Sequence, residues 1–114
     1  VFIDSQMNGE VIDRAAEVFE NLNMHETKLH NGVLIYVAIE NRQFAIIGDS
    51  GIHSVVSQLF WEKLKEDMIP FFKRKDYTGC LLHAIEETGK KLKMHFPVKK
   101  DDTDELSNEV VFGN

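Results

Sequence analysis

Residues 33–39 read Val-Leu-Ile-Tyr-Val-Ala-Ile and are apolar at every position. Strand side chains alternate between faces, so Val33, Ile35, Val37 and Ile39 line one face and Leu34, Tyr36 and Ala38 the other. A strand apolar on both faces must be covered on both. It is therefore central in a sheet flanked by helices. The short polar turn Asn41-Arg42 then sends the chain back through Phe44 to Ile47 as an antiparallel neighbour. Such a hairpin brings its start, His30-Asn31-Gly32, beside its end, Gly48-Asp49-Ser50-Gly51. Polar residues and glycines crowd one rim of a buried sheet, and function is expected there.

Upstream, Val1-Phe2-Ile3-Asp4 reads as the end of a strand, followed by a polar loop, Ser5 to Gly9. Val11, Ala15, Val18 and Leu22, with Ile12 and Phe19 alongside, recur at helical spacing and predict a helix over residues 10–22, capped by Asn8 or Gly9. Residues 23–31 have no apolar period. Strand, helix, strand is a crossover unit, so the first two strands should be parallel. Downstream, Leu59, Phe60, Leu64, Met68, Phe71 and Phe72 form an apolar stripe, and Pro70 should bend or end that helix near Ile69. Asp76 caps a further helix with Tyr77, Leu81, Ile85, Thr88 and Leu92 on one face, ending before Pro97. The expected architecture is α/β: a three-layer α/β/α sandwich built on a mixed β-sheet.

A chain of 114 residues with 43% hydrophobic content is expected to form one domain, over residues 1–97. Residues 98–114 are highly charged, then weakly apolar at Val110-Val111-Phe112, which predicts a mobile or loosely docked tail. The apolar start without Met suggests a chain that begins inside an element, a fragment whose natural N-terminus is missing. The net charge of −6 offers no basic footprint for nucleic acid. No apolar run approaches the roughly 20 residues of a membrane span. A single cysteine, Cys80, precludes an internal disulfide and favours a reducing compartment such as the cytoplasm. On the apolar face of a helix, Cys80 reads as a structural thiol.

The set of short motifs along the chain resembles the TPM domain family, named after a thylakoid lumen protein and its relatives. The resemblance is carried by Asp13-Arg14-Ala15-Ala16-Glu17-Val18-Phe19, Met24-His25, Asn31-Gly32-Val33-Leu34-Ile35-Tyr36, Phe44-Ala45-Ile46-Ile47-Gly48-Asp49-Ser50-Gly51-Ile52 and Phe60-Trp61. Leu92 to Pro97, with Asp101-Asp102 and Glu105-Leu106, is similar to the ending of short, single-domain bacterial members. The resemblance implies an α/β/α sandwich that opens with a helix and then a strand, so that an N-terminal helix and part of the first strand are expected to be missing here. It implies as well an acidic cavity that binds divalent cations, calcium above all. It also implies a link to acid phosphatase-type activity attributed to plant lumenal members, while the role of short bacterial members is unassigned.

The rim residues fit that implication chemically. Asp49 and Asn31, with free backbone carbonyls in a glycine-permitted turn, are hard oxygen ligands of the kind calcium or magnesium prefers. Glu26 and His25 lie in the loop that ends at the same rim, and His53 lies just past Gly51. The same Asn-Gly and Asp-Ser-Gly sequences are also ordinary turn chemistry, in which Asp and Asn bond their own backbone. His25, His30 and His53 match no zinc spacing, and His30 should point away from His25. His83 and His95 read as partly exposed surface residues. The loop from Asp4 lacks the bidentate Glu of an EF-hand, because its twelfth position is Ala15. Asp101, Asp102, Asp104 and Glu105 read as a solvated acidic tail. Trp61, Phe60, Phe71 and Phe72 read as core, and Arg14 as crossing to a neighbouring carboxylate. Asp49, Ser50 and His53 are too close in sequence for a nucleophile relay. Three functions stay open: a calcium-binding domain, a metal-dependent phosphatase acting on phosphomonoesters, and a module that recruits a protein partner around a structural ion.

Overall fold

The computed structural model describes residues 1–97 and the backbone of Val111–Phe112. Its elements are β1 (Phe2–Asp4), α1 (Val11–Asn21), a 3-10 turn (Met24–Glu26), β2 (Val33–Ala38), β3 (Gln43–Gly48), α2 (Ser50–His53), α3 (Gln58–Lys73), α4 (Tyr77–His95) and β4 (Val111–Phe112). The chain separates into two compact units. The first holds β1, α1, β2, β3 and β4, the second α3 and α4, and α2 spans the boundary between them.

In the first unit the sheet order is β3-β2-β1-β4. β2 pairs antiparallel with β3, Val33 opposite Gly48 and Ala38 opposite Gln43, and parallel with β1, Phe2 opposite Tyr36. The mixed sheet and the parallel crossover are as the hydrophobic pattern predicts. Both faces of β2 are buried, with Leu34, Tyr36 and Ala38 on one and Ile35 and Val37 on the other. Ala15, Val18 and Phe19 of α1 join Phe2, Leu34, Tyr36, Ala38 and Ala45 in one apolar cluster. Neither predicted residue caps α1. Glu10 occupies the cap in an extended conformation without a side-chain bond, and Gly9 supplies the left-handed turn before it (φ +82°). Of the expected tail, the backbone of Val111–Phe112 pairs in parallel with β1. Asp101, Asp102, Asp104 and Glu105 lie outside the described residues.

In the second unit α3 and α4 pack against one another. Ser57 caps α3 by accepting the Phe60 N–H, and Asp76 caps α4 by accepting the Gly79 N–H at 2.9 Å, the latter as predicted. Pro70 does not end α3, which runs on to Lys73. One more turn buries Phe72, whose ring packs edge-on against Tyr77 at 5.2 Å. That burial offsets the backbone bond lost at the proline. Leu59, expected in the apolar stripe, is instead 75% exposed. The buried face of α4 is Cys80, Ala84 and Thr88: Cys80 and Thr88 lie on it as expected, Ala84 joins them, and Ile85, expected there, is exposed. Small residues on that face let the helices approach closely. Burial pushes the Cys80 thiol up to about 11, so it stays protonated and packs as an apolar group.

Candidate metal site at the hairpin rim

The rim is assembled by backbone before any side chain contributes. Asp49 N–H donates to the Gly32 carbonyl at 2.9 Å, which extends the β2–β3 ladder past Gly48. Gly51 N–H then donates to the His30 carbonyl at 2.8 Å. The segment before β2 is fixed by buried Thr27, whose Oγ1 accepts the Asn31 N–H at 3.3 Å and whose carbonyl accepts the His30 N–H at 3.3 Å. His30 closes this turn in the left-handed region (φ +50°), unusual for a residue with a Cβ. Gly51 is dictated by contact. A Cβ there would lie 2.0 Å from the Leu29 carbonyl oxygen and 2.6 Å from that of His30.

Asp49 is thereby held between two partners. Its Oδ1 accepts the Ser50 N–H at 2.7 Å, and its Oδ2 lies 3.2 Å from Nδ1 of His30. With the proton on Nδ1, His30 donates to Asp49 and presents Nε2 outward. The His30 side chain is 54% exposed, the Asp49 carboxylate 14%. Asn31 shares this rim, half-buried. His25 and Glu26 are both exposed in the 3-10 turn and face each other at 3.9 Å. His53 is exposed at the end of α2. Among the described residues, no three His, Cys, Asp or Glu side chains converge as a metal-holding group. The donors at the rim are of the hard oxygen type that suits calcium or magnesium. They amount to one carboxylate, one amide and main-chain carbonyls, so most of an ion's shell would be water.

Sequence reasoning set His30 at this rim but gave it no part beside Asp49. Its placement depends on a left-handed turn and on the Thr27 hydroxyl, neither of which shows in a hydrophobic pattern. The hairpin register was the available signal, since it sets residue 30 opposite residue 51.

A second polar cluster lies at the end of β1. Arg14 Nε donates to Oδ2 of buried Asp4 at 3.1 Å and Nη1 to Glu17 at 3.0 Å, the crossing to a neighbouring carboxylate that the sequence suggests. The Tyr36 hydroxyl donates to the same Asp4 oxygen, and the Arg14 guanidinium lies 5.8 Å from the centre of the Phe2 ring. With the Asp4 side chain 4% exposed and every partner internal, this cluster is structural. Burial, reinforced by the Asp4 carboxylate, pushes the Tyr36 phenol up to about 12. A raised pKa in the folded state favours the protonated form. Its stabilisation is therefore complete below about pH 10, the unfolded value, and is lost as pH rises toward about 12. Wild-type protein should lose more stability than Tyr36→Phe across that window in urea titrations at stepped pH. Parallel curves would remove the phenol from the account.

The family model described as TPM domain matches residues 1–91. The chain belongs to the TPM domain family. The structure of this TPM domain is similar to the NMR structure of the BA42 protein from the psychrophilic bacterium Bizionia argentinensis, with a TM-score of 0.88 and 45% sequence identity. The likeness covers 98% of this chain and 77% of that one. It agrees with the α/β sandwich class expected from the sequence. No curated protein matches the chain. No helix among the described residues is long and apolar enough to cross a membrane.

Proposed function

We propose that this TPM domain binds a divalent cation, calcium in preference to magnesium, at the rim around Asp49. The observation that carries the reading is the fixed carboxylate at the end of β3. Asp49 is held by the Ser50 N–H and by His30, and it shares its rim with Asn31. Glu26 and His25, exposed in the loop before β2, do not converge with Asp49 and His30 into one metal-holding group among the described residues, so they would reach the ion only through bound water. His53, just beyond Gly51, is a weaker candidate because calcium prefers oxygen to nitrogen. Calcium takes 6–8 oxygens, and a site so dependent on water belongs with weak sites, of dissociation constant about 10⁻⁴–10⁻³ M.

An ion bound only by the folded state stabilises it by about 1.4 kcal/mol when free calcium is ten times its dissociation constant. The wild-type melting midpoint should rise by several degrees between excess chelator and millimolar calcium. Asp49→Asn keeps an acceptor for the Ser50 N–H and removes the charge, so its midpoint should be the same in both conditions. A wild-type midpoint indifferent to calcium contradicts the reading.

Metal-dependent phosphatase activity is the second reading. The feature that favours it is His30, whose Nδ1 is set against Asp49 while Nε2 is left to exchange a proton with a substrate. A bound cation there would polarise a phosphoryl oxygen. Turnover of a simple phosphomonoester that needs calcium and disappears in Asp49→Asn would establish it. Turnover that persists in that variant with chelator present would dismiss it.

A further inference from the structure

We propose that one water molecule is bound between Trp61 and Thr88 in the interior of the α3–α4 pair. The two helices are antiparallel, and contacts along their seam set the level of every rung. Phe72 meets Tyr77 at 5.2 Å between ring centres, and the Cys80 thiol donates to the Met68 carbonyl at 3.8 Å. Nearer the far end, the Lys91 ammonium lies 5.2 Å from the centre of the Phe60 ring. The buried stripe of α3 is Trp61, Leu64, Met68 and Phe72, and that of α4 is Cys80, Ala84 and Thr88. Stepping one turn at a time from Met68 and Cys80 sets Leu64 at the level of Ala84, and then Trp61 at the level of Thr88.

These two residues are also the ones whose buried polar atoms, Trp61 Nε1 and Thr88 Oγ1, have no hydrogen-bond partner among the described residues. They do not bond each other. Trp61 is 5% exposed and Thr88 also 5%, so bulk water does not serve them. A buried polar atom left unsatisfied costs about 1–3 kcal/mol, and folded proteins rarely leave one so. Here the two groups are complementary to one molecule. The indole offers only a donor, the hydroxyl offers both a donor and acceptor lone pairs, and water accepts from the first while bonding the second. Main-chain carbonyls, each with a second lone pair, complete the 2–4 partners an internal water takes. Ala84, one turn before Thr88, is the smallest side chain among the buried residues of α4. The water accounts for a threonine and a tryptophan placed where apolar side chains would otherwise pack.

The test turns on the sign of one isosteric substitution. Thr88→Val should lower the melting midpoint of the full chain by several degrees, because it strips the water of an anchor and leaves the indole N–H unpaired. Without a water, the same change removes an unsatisfied hydroxyl, and the midpoint should stay or rise. Trp61 is the single tryptophan, so its indole proton is unambiguous in NMR spectra. That proton should show a cross-peak to a long-lived water in wild type and in Thr88→Ser, and none in Thr88→Val. A wild-type spectrum without the cross-peak, or a stabilised Thr88→Val, overturns the proposal.

Discussion

Gly51→Ala is expected to destabilise the chain by about 3 kcal/mol. The new Cβ would sit 2.0 Å from the Leu29 carbonyl oxygen and 2.6 Å from that of His30, and main-chain atoms have no rotamer in which to escape. Relief requires the 27–31 turn to move off the sheet end. That movement breaks the 2.8 Å bond from Gly51 to His30 and pulls His30 from Asp49. Overpacking of this kind costs about 3 kcal/mol. Urea denaturation should show the midpoint falling accordingly, and the calcium binding proposed for the rim should weaken with it. A loss below about 0.5 kcal/mol, the range of ordinary surface changes, would mean that the turn is not held against Gly51.

Arg14→Met should rank second. It keeps an unbranched aliphatic stem at this position of α1 and removes the guanidinium that pairs with Asp4. Asp4 is 3% exposed and keeps the Tyr36 hydroxyl alone, so its charge is left buried with one donor. Breaking a fully buried pair from one side costs about 3–5 kcal/mol. Arg14 is itself 29% exposed and water can reach part of the space it leaves, so about 2–3 kcal/mol is expected. Equilibrium unfolding in urea gives the value directly. A change under about 1 kcal/mol would class the contact with surface pairs.

The parts of this fold that were legible in the sequence share a cause. β2 is apolar on both faces, which leaves few places for it in a sheet, and its polar turn ties β3 to it in a definite register. The rim followed from that register, and Asp49 with it. Long-range polar contacts were harder to read. Asp4, Arg14 and Tyr36 come from three separate elements and meet only when α1 lies across β1 and β2. His30 and Asp49 meet through a left-handed residue that no periodicity records. The expected helix faces departed from the structure at Leu59 and Ile85, which are apolar but exposed. Cys80, Ala84 and Thr88 are less hydrophobic than Leu81 and Ile85, yet their small size suits a close helix pair. Pro70 failed as a stop because the next turn carries Phe72 into a buried place.

The central claim is that the carboxylate at the end of β3 holds a divalent cation, and amide NMR spectra recorded during a calcium titration read it residue by residue. Saturable shifts are expected, centred on Asn31, Asp49 and Ser50, with a smaller response at Glu26, all absent in Asp49→Asn. Shifts confined to other residues, or a titration in which the rim does not respond, would contradict it.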